Sequence, residues 1–249
     1  MHPLFMLSLL LQIGCAVHAV RTRRPSYWLF VLLAGSYIGV AVYVFAELLP
    51  DLRHNRATRQ ALRSAHDRID PDRRKREATR QLDVADTLDN RRRLARESFN
   101  SGDYQQAAEL YRSGLRGLYQ TDPELMLGLA RSQFALNLHA EARQTLDALI
   151  AANPDFRSDE GHLLYARCLE ALGDIAGAVH EYEALVKGFL GEEARVRYGL
   201  LLKREGRAAQ ATEVFGTVLK RSRVAPKYYQ REQHEWIEIA KREAATTMS

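Results

Sequence analysis

The chain has 249 residues, 36 of them Lys or Arg and 31 Asp or Glu, with a formal net charge of +5. Hydrophobic residues make up 46% and charged residues 27%, which is typical of an ordinary globular protein of one or two domains. The two cysteines, Cys15 and Cys168, exclude a disulfide scaffold, and without a C-x-x-C spacing they predict no zinc or iron–sulfur site.

The first fifty residues are nearly free of charge and predict a transmembrane helical hairpin over 1–50. Positions 3–20 and 25–46 contain no charged residue and are 18 and 22 residues long. A bilayer core about 30 Å thick needs roughly 20 apolar residues in a helix, so both stretches are candidate spans. The short turn between them forces an antiparallel arrangement. A cleaved signal peptide is the competing interpretation, although no Lys or Arg precedes the first stretch.

Gly35 and Gly39 lie four residues apart in the second stretch, a spacing that lets two helix backbones approach closely. We therefore expect the hairpin to pack there on itself or on another copy, which makes a homo-oligomer possible. Arginines are more numerous after Pro50 than in the turn, which favours both termini on the cytoplasmic side. The expected location is a bacterial cytoplasmic (inner) membrane, with the C-terminal part of the chain in the cytoplasm.

The same stretch resembles the two-helix N-terminal module that precedes cardiolipin synthases and other phospholipase D-type enzymes. The resemblance rests on the Arg-rich turn 21–25, on Trp28 and on Gly39-x-x-x-Tyr43. A Pro usually precedes that Gly in the module, and it is absent here. The resemblance implies a membrane anchor and no lipid chemistry, because the chain lacks the paired H-x-K-x-x-x-x-D motif of the enzymes.

Residues 51–88 are polar and rich in Arg, and they predict a charged helical stalk that is interrupted at Asp70-Pro71. Interleaved acidic residues favour a solvated spacer, and the lack of interleaved aromatic residues argues against binding of nucleic acid. The alternative is contact with anionic headgroups of a lipid bilayer. The candidate residues for such contacts are the basic ones of the turn and of the densest cluster: Arg21, Arg23, Arg24, Arg73, Arg74, Lys75 and Arg76.

Four self-similar units follow over residues 89–225. Each has an Ala five residues after a Gly or Asn, and a second small residue twelve positions before that Ala. The Ala pairs and their single Gly variant are Ala95 with Ala107, Ala130 with Ala142, Ala166 with Ala178, and Gly199 with Ala211.

This pattern resembles the tetratricopeptide repeat, a helix–turn–helix unit of 34 residues. The resemblance implies two helices in contact at the small residues, and a left-handed turn at Gly102, Asn137, Gly173 and Gly206. It also implies that the aromatic or Leu residue four positions after the second Ala packs against the next unit. Residues 226–249 are expected to form a capping helix and tail for the open end of the stack.

By the family pattern, the first helix of each unit lines a concave groove. The candidate groove residues combine arginines that can grip carboxylates with apolar anchors, and suggest an acidic–hydrophobic peptide as ligand. They are Arg96, Phe99, Arg131, Phe134, Arg167 and Lys203. The competing interpretation is that acidic residues on the same helices, seven positions before the arginine positions, neutralise these arginines in structural salt bridges. They are Asp89, Glu124, Glu160 and Glu193.

No catalytic, cofactor-binding or metal-binding motif is present, so the chain is not expected to be an enzyme. The expected fold is all-α: a transmembrane hairpin, a stalk, a solenoid of about four helix pairs and a cap. The expected function is a membrane-anchored scaffold that binds a protein or peptide partner. The alternatives are a regulatory subunit of a membrane lipid enzyme that uses the hairpin as its contact, and an envelope-assembly factor that faces the periplasm.

Overall fold

The computed structural model describes residues 3–21, 27–34, 36–44, 46 and 70–247. The chain divides into two compact units, Met1–Arg73 and Arg74–Ser249. Every regular element in the described ranges is helical, so the predicted all-α class is confirmed.

The first unit contains three helices: α1 (Pro3–Arg21), α2 (Tyr27–Ala34) and α3 (Ser36–Tyr43). Trp28 and Tyr43 lie at its centre, with their ring centroids 5.2 Å apart in an edge-to-face arrangement. A Cβ atom at Gly39 would lie 2.2 Å from the carbonyl oxygen of Val31, so the absence of a side chain lets α2 and α3 approach closely. Gly35, Arg23 and Arg24 lie outside the described residues.

The predicted membrane hairpin is not supported, and the predicted membrane location is wrong. In the part of the chain that the structure describes, none of the helices has both the length and the apolar character that crossing a membrane requires. The second apolar stretch forms two helices of 8 residues each instead of one long span. Each rises about 12 Å, less than half of a bilayer core of about 30 Å.

Three further expectations depended on that location. The orientation in an inner membrane, the headgroup contacts of the basic residues and the anchoring of the scaffold are withdrawn with it. The resemblance to the phospholipase D-type module is also not supported, and the role as a subunit of a lipid enzyme loses its basis. Homo-oligomer formation through this unit stays a prediction.

The second unit is a series of helix pairs. A single helix, α4 (Arg73–Val84), comes first, and four pairs follow. Their bounds are α5 (Leu88–Asn100) with α6 (Tyr104–Gly114), α7 (Pro123–Ala135) with α8 (His139–Ala152), α9 (Asp159–Ala171) with α10 (Ile175–Gly188), and α11 (Glu193–Arg204) with α12 (Ala208–Val224). The predicted single cap is two helices, α13 (Lys227–Glu232) and α14 (His234–Thr247), with Gln233 between them.

Small residues occupy the contact within each pair, as the sequence predicts. The seven alanines of the four pairs are all fully buried, with 0% of their surface exposed. The turn between the two helices has a positive φ at each predicted position, 63° at Asn137 and between 74° and 84° at the three glycines. The backbone N–H that follows this residue donates to a carbonyl five residues earlier, for example Asp103 to Ser98 at 2.9 Å, which closes the first helix.

Aromatic side chains join neighbouring pairs. Tyr111 of the first pair lies over Gly128 of the second, where an added Cβ atom would lie 2.4 Å from the Tyr111 ring. Tyr182 of the third pair is fully buried, and its ring centroid is 6.3 Å from that of Tyr198 in the fourth. Since both residues hold the predicted position, their expected contact with the next unit is confirmed.

A buried polar network fixes the C-terminal helices. The Glu192 carboxylate is fully buried, accepts from the Tyr229 hydroxyl at 2.7 Å and from Arg221 Nε at 3.0 Å, and lies 3.5 Å from Arg195 Nη1. Arg195 also donates to three backbone carbonyls. A buried charge is stable only with such partners. The network therefore holds α13 in place through Tyr229.

Substituting Gly128 by Ala should lower the free energy of unfolding by about 1–3 kcal/mol, because the Tyr111 ring must move out of its place. The matched control is Gly216→Ala on α12, where an added Cβ meets nothing within 4 Å. Higher helix propensity should make this control as stable as the natural protein or more so, by up to about 1 kcal/mol. Urea denaturation followed by circular dichroism measures both, and equal stability of the two variants would contradict the packing described.

Removing the Glu192 charge should loosen the C-terminal helices. Glu192→Ala leaves two arginines without their shared carboxylate, and we expect a loss of about 3 kcal/mol. Tyr229→Phe removes one hydrogen bond and should cost about 1 kcal/mol. Hydrogen exchange should become faster in 227–247 for both variants, and in that order of size. Unchanged protection there in Glu192→Ala would show that the network does not hold the cap.

Candidate functional site

The first helices of adjacent pairs bring an arginine of one repeat over a phenylalanine of the repeat before it. The guanidinium carbon of Arg131 on α7 lies 4.7 Å from the ring centroid of Phe99 on α5. That of Arg167 on α9 lies 4.5 Å from the centroid of Phe134 on α7. Both contacts have cation–π geometry, and they repeat because the residues hold equivalent positions in successive units.

The two phenylalanines are also held from their own repeats. The Phe99 ring centroid is 5.1 Å from that of Tyr104, at the start of α6. The Phe134 centroid is 4.7 Å from that of His139, at the start of α8. Each ring therefore lies between an aromatic partner in its own repeat and a guanidinium from the next.

Carboxylates complete this arrangement from the other side. Arg131 Nη1 lies 3.0 Å from Glu160 Oε1, and Arg167 Nη1 lies 4.0 Å from Glu193 Oε1. The acidic residues thus reach the arginines from the following repeat, whereas the sequence suggested a partner earlier on the same helix. The pKa of Arg167 is lowered, first by burial and then by the neighbouring Arg197, while Glu193 opposes the shift.

Two connected hollows lie along these first helices. One has a volume of about 370 Å³ and is lined by Phe99, Arg131, Phe134 and Arg167, among others. The other, of about 180 Å³, is lined by Arg96, Phe99 and Arg131. Because they share Phe99, Arg131 and Glu160, we describe them together as the repeat groove. Five of the six predicted groove residues line it.

Arg96 lies at the N-terminal end of the repeat groove and differs from the other arginines. Its side chain is exposed, and within the described ranges it has neither an ion-pair partner nor a hydrogen-bond acceptor. Glu124 lines the same hollow, as does Arg92, which is paired with Asp89 at 3.1 Å. The open guanidinium is therefore Arg96.

Lys203, the sixth predicted residue, lies elsewhere. It lines a separate hollow of about 500 Å³ with Leu200 and Arg204, and its Nζ is 2.8 Å from Glu243 Oε2 on α14. In the cluster 73–76, Lys75 is paired with Asp103 at 2.7 Å, and this contact lowers the pKa of the Asp103 carboxyl.

The sequence missed the cationic position of the fourth repeat. The repeat register places Leu200 in the arginine column, and the cation nearest to that position is Arg197, one helical turn earlier on α11, which stacks on the cap that follows. It lies 5.1 Å from the Trp236 ring centroid and 2.8 Å from Glu193. The signal was available, since residues three apart on a helix share a face.

Comparison with known proteins shows a sequence match over part of the repeats and a similar fold. Residues 99–159 match the tetratricopeptide repeat. The solved structure of TTC0263, a thermophilic TPR protein of Thermus thermophilus, is 18% identical, with 70% of this chain and 89% of that chain covered and a TM-score of 0.53. This similarity shows a common fold.

Two other solved structures are similar at lower TM-scores. MamA is 15% identical over 70% of this chain and 88% of its own, with a TM-score of 0.46. YrrB, described as a TPR protein with an unusual peptide-binding site, is 15% identical over 68% and 91%, with a TM-score of 0.48. No curated protein matches the sequence. Residues 99–159 are thus similar in sequence to the tetratricopeptide repeat, and the helix pairs of the second unit share the fold of TTC0263.

Proposed function

We propose that this chain is a protein-interaction scaffold that binds an acidic, partly apolar peptide segment of a partner protein in the repeat groove. The observation that carries the proposal is the open guanidinium of Arg96 beside the Phe99–Arg131 pair. An arginine that has no partner among the described residues can bind a carboxylate without breaking an ion pair there. Tetratricopeptide folds are typically scaffolds, and the proposal includes no catalysis.

The charge balance at this end of the groove favours an acidic ligand. The smaller hollow is lined by three arginines, Arg92, Arg96 and Arg131, and by two carboxylates, Glu124 and Glu160. Arg131 gives Nη1 to Glu160, and a guanidinium has five N–H donors, so others are free to bind a peptide carboxylate. A bidentate contact of this kind gives orientation as well as affinity.

The larger hollow supplies the apolar part of the site. Phe99 and Phe134 line it together with Leu163 and Leu164. Because cation–π and ring–ring contacts already hold the two phenylalanines, they present fixed apolar surface, and little side-chain entropy is lost when a ligand binds. We therefore expect an apolar peptide side chain in the larger hollow and an acidic one near Arg96.

Arg96→Glu tests this arrangement with a blocked, fluorescein-labelled peptide of sequence Glu-Phe-Glu-Glu-Phe, followed by fluorescence anisotropy. We expect affinity to fall at least tenfold, the equivalent of about 1.4 kcal/mol, because the charge at the open end is reversed. Affinity of the natural protein should also fall as salt is raised.

Arg112→Glu is the matched control, since Arg112 is an exposed arginine on α6, the second helix of the same repeat. It makes the same change in net charge and should leave affinity unchanged. The proposal fails if the natural protein shows no saturable binding, or if the two variants weaken binding equally. Neither side chain has an ion-pair partner in the described part of the chain, so a difference between the variants does not come from unfolding.

A further inference from the structure

A second hollow lies outside the repeat groove, between the second and third repeats. Its volume is about 550 Å³, and it is lined by residues of α7, α8, α9 and α10 and of the connection between α8 and α9. The apolar part of its lining consists of Leu127, Leu146, Leu149, Ile150, Phe156 and Tyr165. This volume is within the range of protein sites that take up a small ligand or a large side chain. We call it the lateral pocket.

One repeat has glycine at the lateral pocket where its neighbours have a larger residue. Gly161 on α9 is equivalent by repeat register to Leu125 in the second repeat and to Ala194 in the fourth. Leu125 is fully buried and packs beside Gly114. Ala194 is also buried, and Arg195 beside it extends to the carbonyls of the preceding connection. Gly161 has no side chain and lines the pocket, and an added Cβ atom there would lie 3.4 Å from Leu127 Cδ1 and from Ser158.

The polar lining of the lateral pocket is mostly acidic. Three carboxylates, Asp147, Asp159 and Glu181, line it together with one guanidinium, that of Arg157. Arg157 donates to the carbonyls of Pro154 and Phe156, which keeps it bound to its own loop.

The three carboxylates differ in how far they are already paired. Glu181 is bonded to His162 at 2.7 Å, and Asp147 lies 3.7 Å from Arg143. Asp159 is exposed, and in 70–247 it has no ion-pair partner. The charge that a ligand would meet is therefore negative.

The surroundings of the pocket favour a protein partner. In a stack of antiparallel helix pairs, all connections from a second helix to the next first helix lie at one edge. Ile150, at the pocket, is 55% exposed, and the flanking connections carry Leu118, 99% exposed, and Leu190, 80% exposed. Exposed apolar residues along one edge are typical of an interaction surface.

We propose that the lateral pocket is a second docking site, which receives an aromatic or branched aliphatic side chain of a protein partner with a Lys or Arg beside it. The apolar chain enters the pocket beside Gly161, and the cation lies against Asp159. This site prefers the opposite charge to the repeat groove, so the two bind different segments and stand independently.

The test uses two blocked tripeptides, Lys-Trp-Lys and Glu-Trp-Glu, titrated into the full chain by isothermal calorimetry. We expect saturable binding of Lys-Trp-Lys and at least tenfold weaker binding of Glu-Trp-Glu. Gly161→Leu introduces the side chain that the second repeat has at this position and should abolish the binding. Gly216→Leu adds the same side chain on α12, where there is open space, and should have no effect.

Asp159→Lys is the second variant. Asp159 is exposed, so this substitution should not prevent folding, and it tests the proposal even if Gly161→Leu does not fold. It should weaken Lys-Trp-Lys at least tenfold and strengthen Glu-Trp-Glu. Arg96→Glu should leave Lys-Trp-Lys binding unchanged, which separates this site from the groove. The proposal is overturned if Lys-Trp-Lys does not bind, if folded Gly161→Leu binds it normally, or if the two tripeptides bind equally.

Discussion

The close approach of two helices at a pair of small residues is the constraint on which the second unit depends. Ala95 against Ala107, and the equivalent pairs in the other repeats, leave no space for a larger side chain at the contact. That spacing sets the angle at which each pair presents its first helix to the next repeat. The stacking of Arg131 and Arg167 on phenylalanines of the preceding repeat follows from this regular placement.

Two arginines of the first helices, Arg131 and Arg167, have a structural role, and Arg96 at the start of the series differs from them. Arg131 and Arg167 each join three repeats, because each contacts a ring behind it and a carboxylate ahead of it. At the N-terminal end the series begins with Arg96. This arginine belongs to the first of the four helix pairs, so no earlier pair supplies a phenylalanine on which it could stack. Internal neutralisation is therefore observed for Arg131 and Arg167, whereas ligand binding at Arg96 is a proposal.

The periodic features of the sequence predicted the helix pairs well, since the small residues and the turn residues fall at fixed spacing. Even Asn137, the one turn without Gly, has the positive φ expected of it. Composition failed in the first unit, because the length of an apolar stretch does not show whether one helix runs through it. The lateral pocket could not be derived from the family pattern, and Arg197 lies outside that pattern although its spacing from Leu200 indicates a shared helix face.

Arg195 has a consequence for how such an array can change by duplication. Its guanidinium bonds to the carbonyls of Val186, Phe189 and Gly191, so the connection before the fourth repeat depends on a side chain from that repeat alone. A copy of another repeat inserted at this junction would leave those carbonyls without their donor. The third and fourth repeats are therefore coupled through this one side chain, and an insertion between them would break three hydrogen bonds.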